Sequence, residues 1–361
     1  MNLNKKPIYR STFVMLLLIF PIIIFGKLYQ FKLLNGYAFG IINRIIEWLP
    51  TEIIPTDNSY AFPLQFYRVF SFLPFDTALE WAIFWAIVMN IIFFIILLKK
   101  YKTYTMQEYI FIYASMFILD VFVFNINKDL VQCLVLLLVF FAMNLKCSNR
   151  LKIFLAALIL GIESIYFRSY YILGAATSIM VYFILSIFIK KDKKKKTSTI
   201  LSIISVLILL FLMIFAAQYI APEAYEQLIG RRDTIAEDLD ANTVISDWLP
   251  GDGYSNYCIN YIINMFRICF PLELLLKGIK YIPFVIYQIY LAINIIKSMR
   301  HINKKHLANL SFIIGYWLMM FASESDFGTL VRHQAILLPF YLDMIKDNIR
   351  YKESRKSNEK N

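Results

Sequence analysis

Hydrophobic residues form long runs along this chain, and polar residues collect in the segments between the runs. A helix crosses the hydrocarbon core of a bilayer with about 20 mostly apolar residues. The pattern therefore predicts an all-α integral membrane protein, a polytopic bundle of about ten transmembrane helices that forms one domain over residues 1–361. The ten predicted spans are approximately 12–29, 80–98, 106–124, 130–145, 153–167, 171–189, 198–220, 281–296, 308–321 and 330–344.

The composition agrees with this prediction. Hydrophobic residues make up 59% of the chain and charged residues only 17%, and the mean hydropathy is +0.60. A soluble domain carries about 25% charged residues. Roughly ten spans use some 200 residues, which leaves no room for a separate soluble catalytic domain. The four cysteines have no close paired spacing, so the sequence favours neither a disulfide framework nor a metal cluster.

Positive charge is distributed unevenly between the two sides that the spans define. Of the 37 Lys and Arg residues, 25 lie before the first span, in alternate loops, or in the tail 346–361. Such an excess marks the cytoplasmic side. Both termini are therefore predicted to be cytoplasmic, with two long loops, 30–79 and 221–280, on the outer side. The bias also accounts for the net charge of +12 without a nucleic-acid partner.

The segment 257–276 has two possible placements. It is apolar enough to span, but an eleventh span would move the basic stretch 297–305 to the outer side, against the charge bias. Arg267, Pro271 and Glu273 interrupt it, as suits an interfacial or re-entrant helix. We expect it on the outer face, and the spanning alternative stays open.

Polar side chains converge at the predicted outer ends of the helices. Ionisable groups at membrane depth are costly unless they are paired or hydrated, so they indicate function. The candidates are Lys128 and Asp129 in the turn after the third span, Arg168 after the fifth, Arg231 and Arg232 in the second outer loop, and Glu324, Asp326, Arg332 and His333 around the last outer turn.

Some of these candidates have structural alternatives, which the sequence leaves open. Lys128 and Asp129 can simply cap a hairpin, since an acid at the start of a helix is favoured by its dipole. Arg168 can extend to outer headgroups. Arg231 and Arg232 can pair with neighbouring acids on an exposed helix.

The last outer turn carries the most specific pattern. If Asp326 caps the final helix, Arg332 and His333 fall in its early turns, at the positive end of the dipole, where anions bind. His333 is the only histidine predicted on the outer side. Histidine titrates near neutral pH and can act as a base, although a lone histidine is also often structural.

Several other classes of site are disfavoured. The segment 238–249 begins like a calcium loop but has Thr243 at position six and Leu249 at position twelve. The metalloprotease, Walker and serine-hydrolase motifs are missing from the sequence, and no metal or cofactor is predicted. An acyltransferase is disfavoured because His301 and His306 lie in a lysine-rich inner loop with no accompanying acid.

The architecture and three short stretches resemble the Wzy/EpsG-type polymerases, which polymerise the repeat units of O-antigen lipopolysaccharide, capsule or exopolysaccharide. The resemblance covers most of the chain in architecture but only these stretches in sequence: Asn127-Lys128-Asp129, Phe167-Arg168-Ser169-Tyr170-Tyr171, and Asp326-Phe327-Gly328-Thr329-Leu330-Val331-Arg332-His333. It implies a multi-pass transferase of the bacterial cytoplasmic membrane, whose substrate is an oligosaccharide linked to polyprenyl pyrophosphate. A flippase and a chain-length regulator of the same pathway are the implied partners.

The resemblance also implies roles for the candidates. Arginine matches phosphate oxygens with a planar fork, so the implied pyrophosphate ligands are Arg168, Arg332 and either Arg231 or Arg232. The other implied substrate-binding residues are Lys128, Asp129 and Tyr170. Candidates for the base that activates the attacking sugar hydroxyl are His333, Glu324 and Asp326. Outer aromatic residues that can stack on sugars are Tyr60, Tyr67, Trp248 and Tyr254.

Three alternative functions remain open on the sequence. A glycosyltransferase that uses polyprenyl-phosphate sugars needs the same outward arginines and carboxylates, and so does an O-antigen ligase. A flippase or transporter of lipid-linked sugars should instead place polar groups along a path through the midplane, often with internal repeats. The sequence shows no repeat, and its candidate residues lie at one end of the spans.

Overall fold

The computed structural model describes residues 6–34, 39–100, 103–191, 195–220, 225, 243–249, 251, 253–302 and 304–358. Within these residues every regular element is a helix, apart from one isolated β-bridge between Val244 and Asp326. The predicted all-α class is confirmed for the described part of the chain.

Five helices of the described residues are long and apolar enough to cross a membrane, which is the character of a multi-pass membrane protein. They cover Ser11–Lys32, Ala78–Lys100, Tyr171–Phe188, Ile279–Arg300 and Lys304–Ser323. The count of ten spans stays a prediction.

The described residues contain sixteen α-helices, which we number α1 to α16 in chain order. They are Lys6–Leu17, Ile19–Leu28, Phe39–Trp48, Asn58–Arg68, Ala78–Lys100, Met106–Phe122, Lys128–Met143, Asn149–Tyr166, Tyr171–Lys191, Lys195–Ile220, Tyr254–Cys269, Glu273–Leu276, Ile282–Arg300, Leu307–Ser323, Phe327–Ala335 and Leu338–Asn358.

The chain divides into two compact units. The first contains Met1–Leu138, Ile165–Arg168 and Arg332–Pro339, and the second contains Val139–Ser164, Ser169–Val331 and Phe340–Asn361. Each unit therefore gathers segments that are far apart in sequence. The prediction of one membrane domain stays a prediction.

In the first unit, α2 packs against α5 and α6. The contact with α6 needs a glycine, because a Cβ at Gly26 would lie 2.9 Å from the Cβ of Asp120. The segment 39–79, predicted as part of an outer loop, contains α3 and α4, and the Arg68 guanidinium ties its two helices together by donating to the carbonyl oxygens of Thr51 and Ile53. This unit carries the candidate site.

In the second unit, α14 lies against α9 and is buried along its whole length. Gly315 lets the two helices approach closely, since a Cβ there would meet the backbone of Ser178 at 2.5 Å. Thr177 Oγ1 donates to the Gly315 carbonyl oxygen across 2.8 Å. Helices that meet through small residues and hydroxyl groups are typical of membrane proteins.

The predicted continuous span over 330–344 is wrong, because the structure divides this segment between α15 and α16. Residues 336 and 337 form a turn between the helices. The cause is Pro339, which has no N–H to donate to the carbonyl of Ala335 and so interrupts the helical hydrogen bonds. A proline is tolerated in the first turn of the helix that follows.

The segment 257–276, which was predicted on the outer face, folds as α11 and α12 and is not among the five candidate spans of the described residues. Arg267 forms a two-pronged ion pair with Glu273, with both N···O distances at 2.9 Å. Its Nη1 also donates to the Ser246 carbonyl oxygen. The pairing ties the end of α11 to the following turn, and the placement of the segment on the outer face stays a prediction.

Candidate functional site

Asp129 lies at the centre of a cluster of ionisable side chains in the first unit. Its Oδ1 accepts from Nη2 of Arg168 at 2.9 Å, and its Oδ2 lies 3.2 Å from Nε of Arg332. Both arginines were predicted to bind the pyrophosphate. The structure brings them together on opposite oxygens of one carboxylate.

His333 completes the cluster. Its Nε2 lies 3.1 Å from Nη1 of Arg168 and 3.3 Å from Oδ1 of Asp129. A guanidinium N–H can only donate a hydrogen bond and a carboxylate oxygen can only accept one. Nε2 therefore accepts from Arg168 when the ring proton is on Nδ1, and donates to Asp129 when Nε2 itself carries a proton.

The four side chains come from three parts of the sequence. Asp129 is in the first turn of α7, and Arg168 follows the end of α8. Arg332 and His333 are in the last turn of α15. The expectation that they occupy the positive end of a long helix is wrong, because α15 is only nine residues long. Their position at its C-terminal end is one that favours cations.

Asp129 lies in the turn that precedes the predicted span 130–145. Burial by itself would raise the pKa of the Asp129 carboxyl. Arg332, His333 and Arg168 together outweigh burial and hold its pKa well below the ordinary value. The carboxylate is therefore charged at neutral pH.

Arg332 is the most exposed side chain of the cluster. The exposed fraction of the side chain is 4% for Arg168, 3% for Asp129 and 4% for His333, but 28% for Arg332. Of the four side chains, Arg332 is therefore the one that a ligand can reach most readily.

Tyr67 holds the turn that carries Asp129. Its hydroxyl donates to the Asn127 carbonyl oxygen at 2.6 Å and accepts from the Asn127 N–H at 3.0 Å. The Asn127 side chain caps α7 by accepting from the N–H of Leu130 at 3.0 Å. Sequence reasoning offered Tyr67 as a sugar-stacking residue, but its ring is fully buried. It is a positioning residue in this structure.

Lys27 anchors the same turn from α2, and sequence reasoning missed it. Its Nζ donates to the carbonyl oxygens of Asp120 and Phe124 at 2.6 and 2.9 Å, and to Oδ1 of Asn125 at 2.9 Å. The available signal was a single lysine near the outer end of an apolar helix, a position where a charge needs a partner.

Two glutamine amides in this unit are fully buried with no hydrogen-bond partner among the described residues, those of Gln132 and Gln334. Gln132 is three residues after Asp129 on α7 and so lies on the same helix face. Gln334 follows His333 directly. Buried unpaired amides each cost about 1–3 kcal/mol, and at a functional site they are candidate contacts for a bound ligand or water.

The structure gives other partners to two further candidates. Nζ of Lys128 lies 4.8 Å from the ring centre of Tyr60, a cation–π contact. Tyr170 is buried and its ring stacks on Tyr171 with ring centres 4.7 Å apart. Tyr170 therefore does not present its ring as an open platform for a sugar.

The two carboxylate candidates for the base lie in the second unit. Glu324 is buried at the end of α14. Asp326 caps α15, as predicted, since its Oδ2 accepts from the N–H of Thr329 at 2.7 Å. Its Oδ1 accepts from the hydroxyl of Thr243. Both oxygens of Asp326 are thus engaged in holding the turn, which favours a structural role.

Arg231 and Arg232 lie outside the described residues, so their part in the site stays a prediction. Of the remaining outer aromatic residues, Trp248 is 64% exposed and lies under the Arg267 guanidinium at 5.6 Å. Tyr254 donates to the Phe211 carbonyl oxygen at 2.7 Å. Only Trp248 of these two presents a largely open ring.

Comparison with protein families, with curated proteins and with solved structures finds no match to this chain. The function is therefore argued from the site.

Proposed function

We propose that the chain is a polymerase of the Wzy/EpsG type, which joins oligosaccharide repeat units linked to polyprenyl pyrophosphate. The observation that carries the proposal is the pair of guanidinium groups on one buried carboxylate, with an imidazole beside them. Such a group of residues suits a reaction with an anionic leaving group and a proton to remove. No cofactor is part of the proposal.

The two guanidinium groups are matched to a pyrophosphate. Arginine offers parallel N–H groups that fit phosphate oxygens, and hydrogen bonds to an anion are about twice as strong as neutral ones. Arg332 makes the first contact because it is the exposed member of the pair. Arg168 contacts Asp129 before the substrate binds, and it turns from His333 toward the phosphate as the pyrophosphate enters.

His333 is the proposed base. In the reaction an acceptor hydroxyl forms a bond to the anomeric carbon of the donor as the bond from that carbon to the pyrophosphate oxygen breaks. The hydroxyl proton passes to Nε2 of His333 and the electron pair of the broken bond leaves with the pyrophosphate. Nε2 can accept the proton once Arg168 turns toward the phosphate.

Asp129 then stabilises the protonated ring. After proton transfer, Nε2 of His333 carries a proton and can donate to Oδ1 of Asp129, which lies 3.3 Å away. A nearby carboxylate favours the charged form of an imidazole by its opposite charge, and here it lies against the nitrogen that takes the proton. Asp129 is therefore a positioning residue for both the arginines and the base.

We also propose where the protein lies. It is a multi-pass protein of the bacterial cytoplasmic membrane, with both termini in the cytoplasm and the cluster around Asp129 at the outer face. The charge bias supports it. A single cysteine placed within 235–245 in a background without the four native cysteines should react with an impermeant maleimide from the outside. Reaction only from the cytoplasm would contradict the topology.

A deletion strain tests the function and separates the alternatives. Loss of a polymerase should leave one complete repeat unit on the surface lipid, whereas loss of a ligase removes even that unit. Loss of a single-sugar transferase should leave a unit one sugar short by mass. Complementation should succeed with the wild type and with Lys352→Ala, which changes an exposed residue of the C-terminal tail, and fail with Arg332→Ala at an equal membrane level.

A further inference from the structure

A second polar site lies in the second unit, where α13 ends, α14 begins and α16 passes. A cavity of about 370 Å³ opens there, within the range of about 300–1,000 Å³ that small-molecule pockets occupy. The charge bias of the sequence puts this end of the helices in the cytoplasm. None of its lining residues belongs to the cluster around Asp129.

Side chains from all three helices hold the cavity open. Ser298 Oγ donates to Oδ1 of Asn348 at 2.9 Å, which joins α13 to α16. Asn309 Nδ2 donates to the Phe340 carbonyl oxygen at 3.1 Å, which joins α14 to α16. His301 stacks on Tyr351, a lining residue of α16, with ring centres 3.7 Å apart. The walls are therefore preformed.

Lys305 and Arg350 contribute two cations to the lining, and both are exposed. The one acid of the lining, Asp347, is paired with Nδ1 of His306 at 2.9 Å. This pair also corrects the expectation that no acid accompanies the inner histidines, because Asp347 reaches His306 from α16, some forty residues further along the chain. Among the lining residues, Lys and Arg therefore outnumber the acids two to one.

The backbone adds to this excess. The cavity lies at the N-terminus of α14, whose cap residue His306 makes no side-chain hydrogen bond to the first turn. The N–H groups at such an end carry partial positive charge and favour anions. The lining also contains Ile302, Leu310 and Met344, which suit carbon atoms rather than a bare ion.

We infer that this cavity binds the phosphate group of an organic phosphate, with Lys305 and Arg350 as the ligands of the phosphate oxygens. The group belongs either to a lipid headgroup of the inner leaflet or to a soluble metabolite. The apolar residues of the lining accommodate the carbon atoms next to the phosphate.

Binding to the full chain in phosphate-free detergent tests the inference. The probes are dihexanoyl phosphatidic acid, inorganic phosphate, and dihexanoyl phosphatidylcholine, which has the same acyl chains but no net charge. The double variant Lys305→Ala/Arg350→Ala should bind phosphatidic acid at least about tenfold more weakly, the size expected for lost hydrogen bonds to charged groups. The matched double variant Lys304→Ala/Lys352→Ala removes two exposed cations outside the lining and should bind like the wild type.

The probes also distinguish a lipid headgroup from a soluble metabolite as the source of the phosphate group. Tighter binding of phosphatidic acid than of inorganic phosphate indicates a lipid headgroup, and equal binding with full competition indicates a soluble phosphate. The inference is overturned if neither probe binds, if phosphatidylcholine binds as tightly as phosphatidic acid, or if the Lys305/Arg350 variant keeps wild-type affinity. Gel filtration and thermal unfolding check that variant, and each single variant should show a smaller loss in the same direction.

Discussion

Arg168 donates a hydrogen bond to His333 across 3.1 Å, between Nη1 of the guanidinium and Nε2 of the imidazole. The two residues are 165 positions apart in the sequence, and both side chains are buried. Because arginine cannot accept, the form of the ring that receives this bond is the neutral one with its proton on Nδ1 and its lone pair on Nε2. Substrate binding that draws Arg168 away leaves a base facing the site.

Asp129 should contribute strongly to the stability of the protein. Replacing it by asparagine leaves two guanidinium groups without their counter-charge, and removing one partner of a buried ion pair costs about 3–5 kcal/mol. We expect Asp129→Asn to lower the thermal unfolding temperature markedly in a fixed detergent.

The matched control for this prediction is Glu273→Gln. It removes the acid of the Arg267–Glu273 pair, whose side chains are partly exposed, and such pairs contribute about 0–1 kcal/mol. If the two variants unfold at the same temperature, the cluster around Asp129 is not an ion-paired core.

The hydroxyl group of Tyr67 should contribute to both the stability and the activity of the protein. Tyr67→Phe leaves the N–H and carbonyl of Asn127 without their partner in a buried turn, at about 1–3 kcal/mol for each unpaired group. We expect lower stability and a reduced rate of polymer formation, because the turn positions Asp129. Tyr113→Phe removes one hydrogen bond, to the Met15 carbonyl oxygen, from a half-buried site and should change both quantities less. A wild-type rate for Tyr67→Phe would remove the turn from the mechanism.

The pH dependence of the rate should identify the base. An imidazole that carries a proton on both nitrogens cannot accept another from the sugar hydroxyl, so a histidine base predicts a rate that falls as the pH is lowered from about 8 to 5. The Asp129 carboxylate does not contribute, since its pKa is held well below its ordinary value and it stays charged in this range. His333→Gln should be slower by about 10²–10⁴ at the upper end, with a flatter profile. Coincident profiles with similar rates would make His333 structural.

Hydrophobic periodicity predicted the helical class because it depends only on local sequence. It also placed Asp129, Arg168, Arg332 and His333 at the ends of helices. It did not predict the break before Pro339, since an apolar run gives no sign of a turn inside it apart from the proline. That break moved Arg332 and His333 from the early turns of a long helix to the last turn of a short one.

The pairings within the site depend on tertiary contacts that one sequence does not encode locally. In the sequence, Asp129 was one of several acidic residues that could have belonged to the site. Only the structure shows that both arginines contact it. Lys27 and Asn125 are 98 residues apart, and neither segment contains a local sequence pattern that predicts the contact between them. Likewise, no pattern in the sequence predicted that Asp347 pairs with His306.

The arginine pair carries the central claim, and purified protein with a synthetic repeat unit on polyprenyl pyrophosphate tests it most directly. Polymer length and released polyprenyl pyrophosphate are measured together. The wild type should produce both. Arg332→Ala and Arg168→Ala should produce neither, and Arg332→Lys should recover part of the rate because a point charge replaces the fork. Arg168→Lys should recover less, since one ammonium replaces the two N–H groups that hold Asp129 and His333. A wild type that releases no polyprenyl pyrophosphate, or alanine variants with full activity, would contradict the account.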